Sequence, residues 1–174
     1  MTSVTVANPP VSAVLEFAPV QGTFSSQSAI ETEAIGAQLA AVLVGGDIVL
    51  IEGELGAGKT TLVRGAARAL GVSGAVTSPT FTIGQRYPAT PVAIAHLDLY
   101  RIGDLAAEDP DLLSDYLGLD TIAFVEWPPD GVERALAAFA RPAARVRMEH
   151  RGQDRRAITI ASGVCAGSDA TVLR

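Results

Sequence analysis

The chain has 174 residues, 48% of them hydrophobic, and a formal net charge of −6 at pH 7. That length fits one domain with a full core, and the negative balance argues against a protein that grips DNA or RNA over its own surface. No uninterrupted apolar span of roughly eighteen residues is present to cross a membrane, and the single cysteine, Cys165, excludes an internal disulfide.

A lone thiol fits a reducing compartment. The first residues lack a basic stretch followed by an apolar core and a cleavage site, so the expected location is the cytoplasm. No set of Cys and His has zinc spacing. Residues 1–24 carry Pro9, Pro10 and Pro19 among small residues and read as a loose N-terminal extension, with Val14-Leu15-Glu16-Phe17 as a candidate peripheral strand. The folded domain is expected over residues 25–162, and residues 163–174 read as a flexible tail.

Ser28-Ala29-Ile30-Glu31 is a capping-box pattern that opens a helix. Ile30, Ala34, Leu39, Val42 and Leu43 are its expected buried stripe, and Gly45-Gly46 ends the segment. Asp47-Ile48-Val49-Leu50-Ile51 is a short apolar run, as a buried parallel strand would be. The stretch Gly53-Glu54-Leu55-Gly56-Ala57-Gly58-Lys59-Thr60 follows, reading G-x-x-x-x-G-K-T. After it, Thr61 to Leu70 has apolar residues at helical spacing, stopped by Gly71.

Strand, glycine loop and helix are the context in which that pattern binds phosphate. The glycines allow the backbone N–H groups of the loop to turn inward around phosphate oxygens, and the helix N-terminus adds partial positive charge. Lys59 reaches the β- and γ-phosphates, and the Thr60 hydroxyl is a candidate Mg²⁺ ligand. Composition supports the assignment: of the thirteen Lys and Arg residues, Lys59 is the only lysine. A compact ammonium fits inside a backbone loop where a wide guanidinium does not.

Ser78-Pro79 cannot continue a helix, so Thr77 to Thr82 reads as an ordered loop entering a strand through Tyr87. Ser78-Pro79-Thr80 is either a switch loop that senses the γ-phosphate or a rigid turn. Val92 to Leu97 is a further short strand, with Asp98-Leu99-Tyr100-Arg101 at its end. Asp104 to Leu119 is polar and broken at Pro110, suggesting one or two short helices. Ile122-Ala123-Phe124-Val125 is a buried strand ending in Glu126-Trp127. Gly131 to Ala140 reads as a weak short helix. Arg145 to His150 and Arg155 to Ile160 read as a terminal hairpin across Gly152. The alternation of strands and helices around the loop predicts an α/β fold, a three-layer P-loop NTPase-type sandwich with a mainly parallel central sheet.

A phosphate loop of this kind needs a carboxylate at the end of a neighbouring strand to hold or orient the metal. Glu126 and Asp98 both qualify. Direct ligation is assigned to Thr60 and Glu126, with Asp98 behind them or orienting the attacking water. His96 reads as a packed structural histidine. Arg101 either approaches phosphates or pairs with Asp98 or Asp104. Trp127, the only tryptophan, is either core or a stacking or partner surface. Arg151, Arg155 and Arg156 read as a solvated edge, with RNA or a partner as the other option. A guanine-reading N-K-x-D motif is impossible, because Asn8 and Lys59 are the only Asn and Lys; ATP is therefore the expected nucleotide.

Four runs in this order, the loop through Leu62, Ser78-Pro79-Thr80-Phe81, His96-Leu97-Asp98-Leu99-Tyr100-Arg101 and Val125-Glu126-Trp127-Pro128, closely resemble the TsaE (YjeE) family of small bacterial ATPases. The resemblance covers about Glu31 to Ile160 and implies a role in threonylcarbamoyladenosine (t6A) modification of tRNA, acting with the TsaB and TsaD proteins. It implies Mg²⁺ ligands at Thr60 and Glu126, a Walker-B-like aspartate at Asp98 and a functional tryptophan at Trp127. With the loop pattern, the expected catalytic residues are Asp98, Glu126 and Lys59, and the expected nucleotide contacts run along Gly53 to Thr61 and include Trp127. The resemblance also implies an adenine-side contact at Thr32. The tRNA would be met through the complex, with no DNA and no membrane involved. The chain departs from the family between Arg101 and Asp115, where Ala106-Ala107-Glu108-Asp109-Pro110 replaces the usual acidic helix start. A small P-loop kinase acting on a metabolite is the alternative reading, although no arginine-rich lid stands out between Asp104 and Asp120. A nucleotide-dependent binding module is the third.

Overall fold

The computed structural model describes residues 20–79, 82–103, 105, 110–139 and 142–162. Seven strands form one sheet: β1 (Gly22–Ser26), β2 (Ile48–Gly53), β3 (Gly84–Tyr87), β4 (Ala93–Asp98), β5 (Thr121–Glu126), β6 (Pro142–His150) and β7 (Arg156–Ser162), in the order β1-β7-β6-β2-β5-β4-β3. The four central strands β6, β2, β5 and β4 run parallel. The antiparallel partners lie outside them, β3 on β4 and the pair β7 and β1 beyond β6. The parallel centre explains the apolar runs, since strands covered on both faces have no solvent side to alternate with. Every residue of β5 is buried.

Two helices, α1 (Ala29–Ala40) and α2 (Lys59–Ala69), cover one face. Leu39, Leu62, Val63 and Ala66 pack there on Val49, Ile51, Phe124 and Val146. The other face is thinner: a 3₁₀ turn (Pro110–Leu113), Leu117 and the short helix α3 (Val132–Leu136) cover Ile48, Leu50 and Val125. The expected three layers are present, and the C-terminal hairpin pairs antiparallel from His150 opposite Arg156 to Ala144 opposite Ser162.

The first helix opens as a variant of the expected cap. Ser28 Oγ accepts from Glu31 N at 3.2 Å, while Glu31 Oε2 accepts from Gln27 N at 2.7 Å, one residue earlier than in the usual box. Its buried stripe differs from the expectation. Thr32, Ile35, Gly36, Leu39 and Ala40 face inward, whereas Ile30 is 81% exposed and Ala34 is exposed. Counting apolar residues alone misphased the helix, because its inner face holds a glycine and a threonine. The glycine is there for contact. A Cβ on Gly36 would lie 2.1 Å from Leu62 O, and one on Gly65 would lie 2.0 Å from Glu33 O. The two helices therefore touch backbone to backbone, and neither position has room for a side chain.

β1 begins at Gly22, so residues 22–24 belong to the sheet rather than to a loose extension. Gly-Thr-Phe-Ser-Ser carries one large apolar residue and no strand pattern of its own; its pairing with β7 defines it. Residues 1–19, with the candidate strand at Val14 to Phe17, lie outside the described residues, as do Thr80, Phe81, Asp104 and the tail with Cys165.

Candidate functional site

The candidate residues gather at the carboxyl ends of the parallel strands. The glycine loop leaves β2, Glu126 ends β5 and Asp98 ends β4. Asp98 and Glu126 are direct neighbours across the β4–β5 ladder, and Glu126 also stands opposite Ile51 of β2. In such sheets this edge is where ligands bind.

The loop's shape requires glycine at its entry. Gly53 has φ +146°, and a Cβ there would lie 2.4 Å from Met148 O on β6. Lys59 opens α2 and folds back over the loop: Nζ donates to Gly53 O and Glu54 O, each at 2.9 Å. The ammonium also sits 3.7 Å from the centre of the Trp127 ring. Burial pushes its pKa below 10.5, and the charges of Glu126 and then Asp98 oppose that shift. A cation held by carbonyls and a ring face, beside a helix N-terminus, is suited to exchange those partners for phosphate oxygens.

Glu126 is 3% exposed. Its Oε1 accepts from Thr60 Oγ1 at 2.9 Å and pairs with His96 Nε2 at 2.8 Å. His96 is fully buried, and its Nδ1 has no hydrogen-bond partner. A carboxylate oxygen calls for a proton on Nε2, which makes this nitrogen the donor. One hydroxyl and one carboxylate oxygen side by side suit Mg²⁺, which keeps waters and shares its shell with phosphates instead of needing a full protein cage. No group of three or more His, Cys, Asp or Glu placed to hold a metal occurs among the described residues. Asp98 is held from two sides: Oδ2 accepts from Ser78 Oγ at 2.8 Å and Oδ1 from Tyr100 N at 3.1 Å. The Ser78-Pro79 segment is thus tied directly to this acid.

Trp127 follows Glu126 with φ +55°, a conformation few non-glycine residues adopt. Its N–H donates to Ile51 O at 3.1 Å, and its ring lies 4.9 Å from that of Tyr100 at 60°. Left-handed backbone held at such a place turns the ring over Lys59 and out of the core.

These groups line a cleft of about 890 Å³ that takes in Leu55, Gly56, Gly58, Lys59, Thr60, Thr61, Asp98, Glu126 and Trp127. Ser78, Pro79 and Arg101 line it as well. Gly53 and Glu54 contribute carbonyls to Lys59, and Ala57 is buried beneath the loop. Thr32 is not brought to the cleft. It is 1% exposed, and its hydroxyl meets Ser26 Oγ at 2.7 Å and Ser28 O at 3.1 Å. Its place is in the first turn of α1.

Arg156 is the residue the sequence reading missed. Arg151 and Arg155 are exposed as expected, but the Arg156 side chain is only 16% exposed and lines the cleft. A signal was available: the two-residue alternation that buries Ile158 and Ile160 places Arg156 on the same face of β7.

The model of the family described as "Threonylcarbamoyl adenosine biosynthesis protein TsaE" matches residues 26–158. Among curated proteins, the tRNA threonylcarbamoyladenosine biosynthesis protein TsaE of Streptomyces coelicolor is 46% identical over 101 residues, 57% of this chain and 68% of that protein. The Mycobacterium leprae protein of the same name is 37% identical over 134 residues, covering 71% of this chain and 81% of that one. Among solved structures, the crystal structure of Bacillus subtilis YdiB superposes with a TM-score of 0.61 at 29% identity, covering 83% of this chain and 86% of that chain.

Proposed function

The chain belongs to the TsaE family of tRNA threonylcarbamoyladenosine biosynthesis proteins, and on that premise we propose that it binds ATP with Mg²⁺ in the cleft and hydrolyses it to drive a TsaB–TsaD complex. The observation that carries the reading is the 2.9 Å contact of Thr60 with Glu126 at the mouth of a glycine loop whose lysine rests on two backbone carbonyls and a ring face.

The loop amides and the α2 N-terminus receive the phosphates, and Lys59 exchanges Gly53 O and Glu54 O for phosphate oxygen. Thr60 and Glu126 are the residues that would hold Mg²⁺, whose chemistry here is to neutralise charge developing on the phosphates. His96 keeps the Glu126 carboxylate turned toward Thr60. Asp98, placed one strand away and held by Ser78, orients the attacking water. Ser78 thereby couples the segment after α2 to the state of the phosphates. The absence of an N-K-x-D run favours adenine over guanine. Among the described residues no helix is long and apolar enough to cross a membrane, and tRNA is met through the partners.

A P-loop without a supplied arginine finger is slow, and a finger is worth on the order of a thousandfold or more. The test is phosphate release with and without TsaB and TsaD, alongside counting of modified adenosine. The isolated protein should hydrolyse ATP feebly, the partners should raise the rate, and Lys59→Ala should abolish the response. Rapid, partner-independent phosphorylation of a small molecule would replace this reading with that of a kinase.

A further inference from the structure

We propose that Arg156 is the cleft's second phosphate-binding cation and takes the phosphate nearest the ribose, at the end of the loop away from the two acids. This inference rests on the reading of the cleft as a nucleotide site.

Three observations carry it. The first is an unmet need. Arg156 NH1 is buried without a hydrogen-bond partner, and the carboxylate it comes nearest to, that of Asp154, is 3.9 Å away and 85% exposed. A guanidinium sunk this far normally has an anion, because leaving it unpaired costs far more than leaving a surface arginine in water. The second is position. Arg156 Nε lies 3.3 Å from where a Cβ on Gly58 would stand, so the fork overhangs the residue that caps α2. Lys59, the positive end of α2 and Arg156 thus converge on one cavity of a chain whose net charge is −6. Three positive groups around one space call for a polyanion.

The third is polarity along the cleft. The sheet order β7-β6-β2-β5-β4 sets Arg156 two strands to one side of the loop strand, and Glu126 and Asp98 one and two strands to the other. The metal and the bond to be broken belong with the acids. A nucleotide laid along the loop therefore directs its terminal phosphate toward Glu126 and Asp98 and its first phosphate toward Arg156. In that place the arginine binds ground state and transition state alike. It sets affinity, whereas the accelerating finger remains for a partner to supply.

The test measures ADP, ATP and inorganic triphosphate binding by calorimetry for the wild type, Arg156→Ala and Arg156→Lys, with ligand-free melting as a control for folding. Arg156→Ala should lose about tenfold to a hundredfold in affinity for ADP and ATP equally, the range of a charge-assisted hydrogen bond. Inorganic triphosphate should weaken as well, and hydrolysis should show a raised KM with kcat retained. Arg156→Lys should recover part of the affinity. The ligand-free variant should melt no lower than the wild type, since it loses a largely buried charge whose ion pair, with the exposed Asp154, is 3.9 Å long. Unchanged ADP and ATP binding would overturn the proposal. So would a loss confined to ATP, which would put Arg156 at the terminal phosphate, or a loss with intact triphosphate binding, which would put it on the base or ribose. A wild-type protein that binds no nucleotide would instead sink the underlying reading of the cleft.

Discussion

His96 Nε2 stands 2.8 Å from Glu126 Oε1 in a pair whose side chains are 0% and 3% exposed. The imidazole is therefore a fixed post against which the carboxylate leans, and the same oxygen accepts from Thr60. Partners behind a metal ligand typically change metal affinity or activity by about 10- to 100-fold when lost. We expect His96→Ala to raise the Mg²⁺ concentration needed for half-maximal hydrolysis by that order while metal-free nucleotide binding stays near wild type. His96→Asn, which keeps a donor, should recover part of the loss. An unchanged Mg²⁺ dependence would reduce His96 to packing.

Lys59 and Glu126 should separate binding from turnover. On the proposed reading, Lys59→Ala removes the charge that would meet the terminal phosphates and should weaken ATP binding by about 2–3 kcal/mol, measured by calorimetry. Glu126→Ala should leave binding largely intact, because the loop amides and Lys59 remain, yet lose Mg²⁺-dependent hydrolysis. Full turnover in the second variant would transfer the metal role to Asp98.

Trp127 is the only tryptophan, and its ring lies 3.7 Å from Lys59 Nζ. When Lys59 changes partners on binding phosphate, the charge over that ring moves. Intrinsic fluorescence should therefore shift on adding ADP or ATP, and the shift should be lost in Lys59→Ala at nucleotide concentrations that saturate the wild type. A constant signal would mean that the ammonium stays on the ring in the bound state.

The helix contact gives a prediction about stability. A methyl group at Gly65 would enter the space of Glu33 O, and overpacking of this kind costs about 1–3 kcal/mol. Gly65→Ala should lower the urea midpoint accordingly, despite alanine's better helix propensity. An unchanged or raised midpoint would mean that the helices can part without cost.

Much of the site could be read from residue order because its chemistry is local. A loop of fixed spacing between a buried strand and a helix specifies where Lys59 and Thr60 stand, and an acid ending an apolar run specifies Glu126. Features made by pairing across the chain were harder to see. β1 has no pattern of its own, and its place comes from β7. Thr32 is expected at the adenine only through the family resemblance, and in the fold its hydroxyl meets Ser26 Oγ. Arg156 reads as one of three surface arginines until strand alternation singles it out. The His96–Glu126 pair depends on the register of β4 against β5, which spacing alone does not give.

The sheet order also bears on how the protein is made. Among the described residues β1 is the first strand to leave the ribosome and its one neighbour is β7, so it has no described strand to pair with until more than a hundred residues have followed. The glycine loop and both acids emerge in that interval, before Arg156 reaches them. A nascent chain stalled after β5 would already carry Lys59, Thr60, Asp98 and Glu126, yet lack β6, whose Met148 carbonyl abuts the loop's first glycine. Competence to hold a ligand should therefore arise abruptly, when the final hairpin closes, rather than grow with chain length.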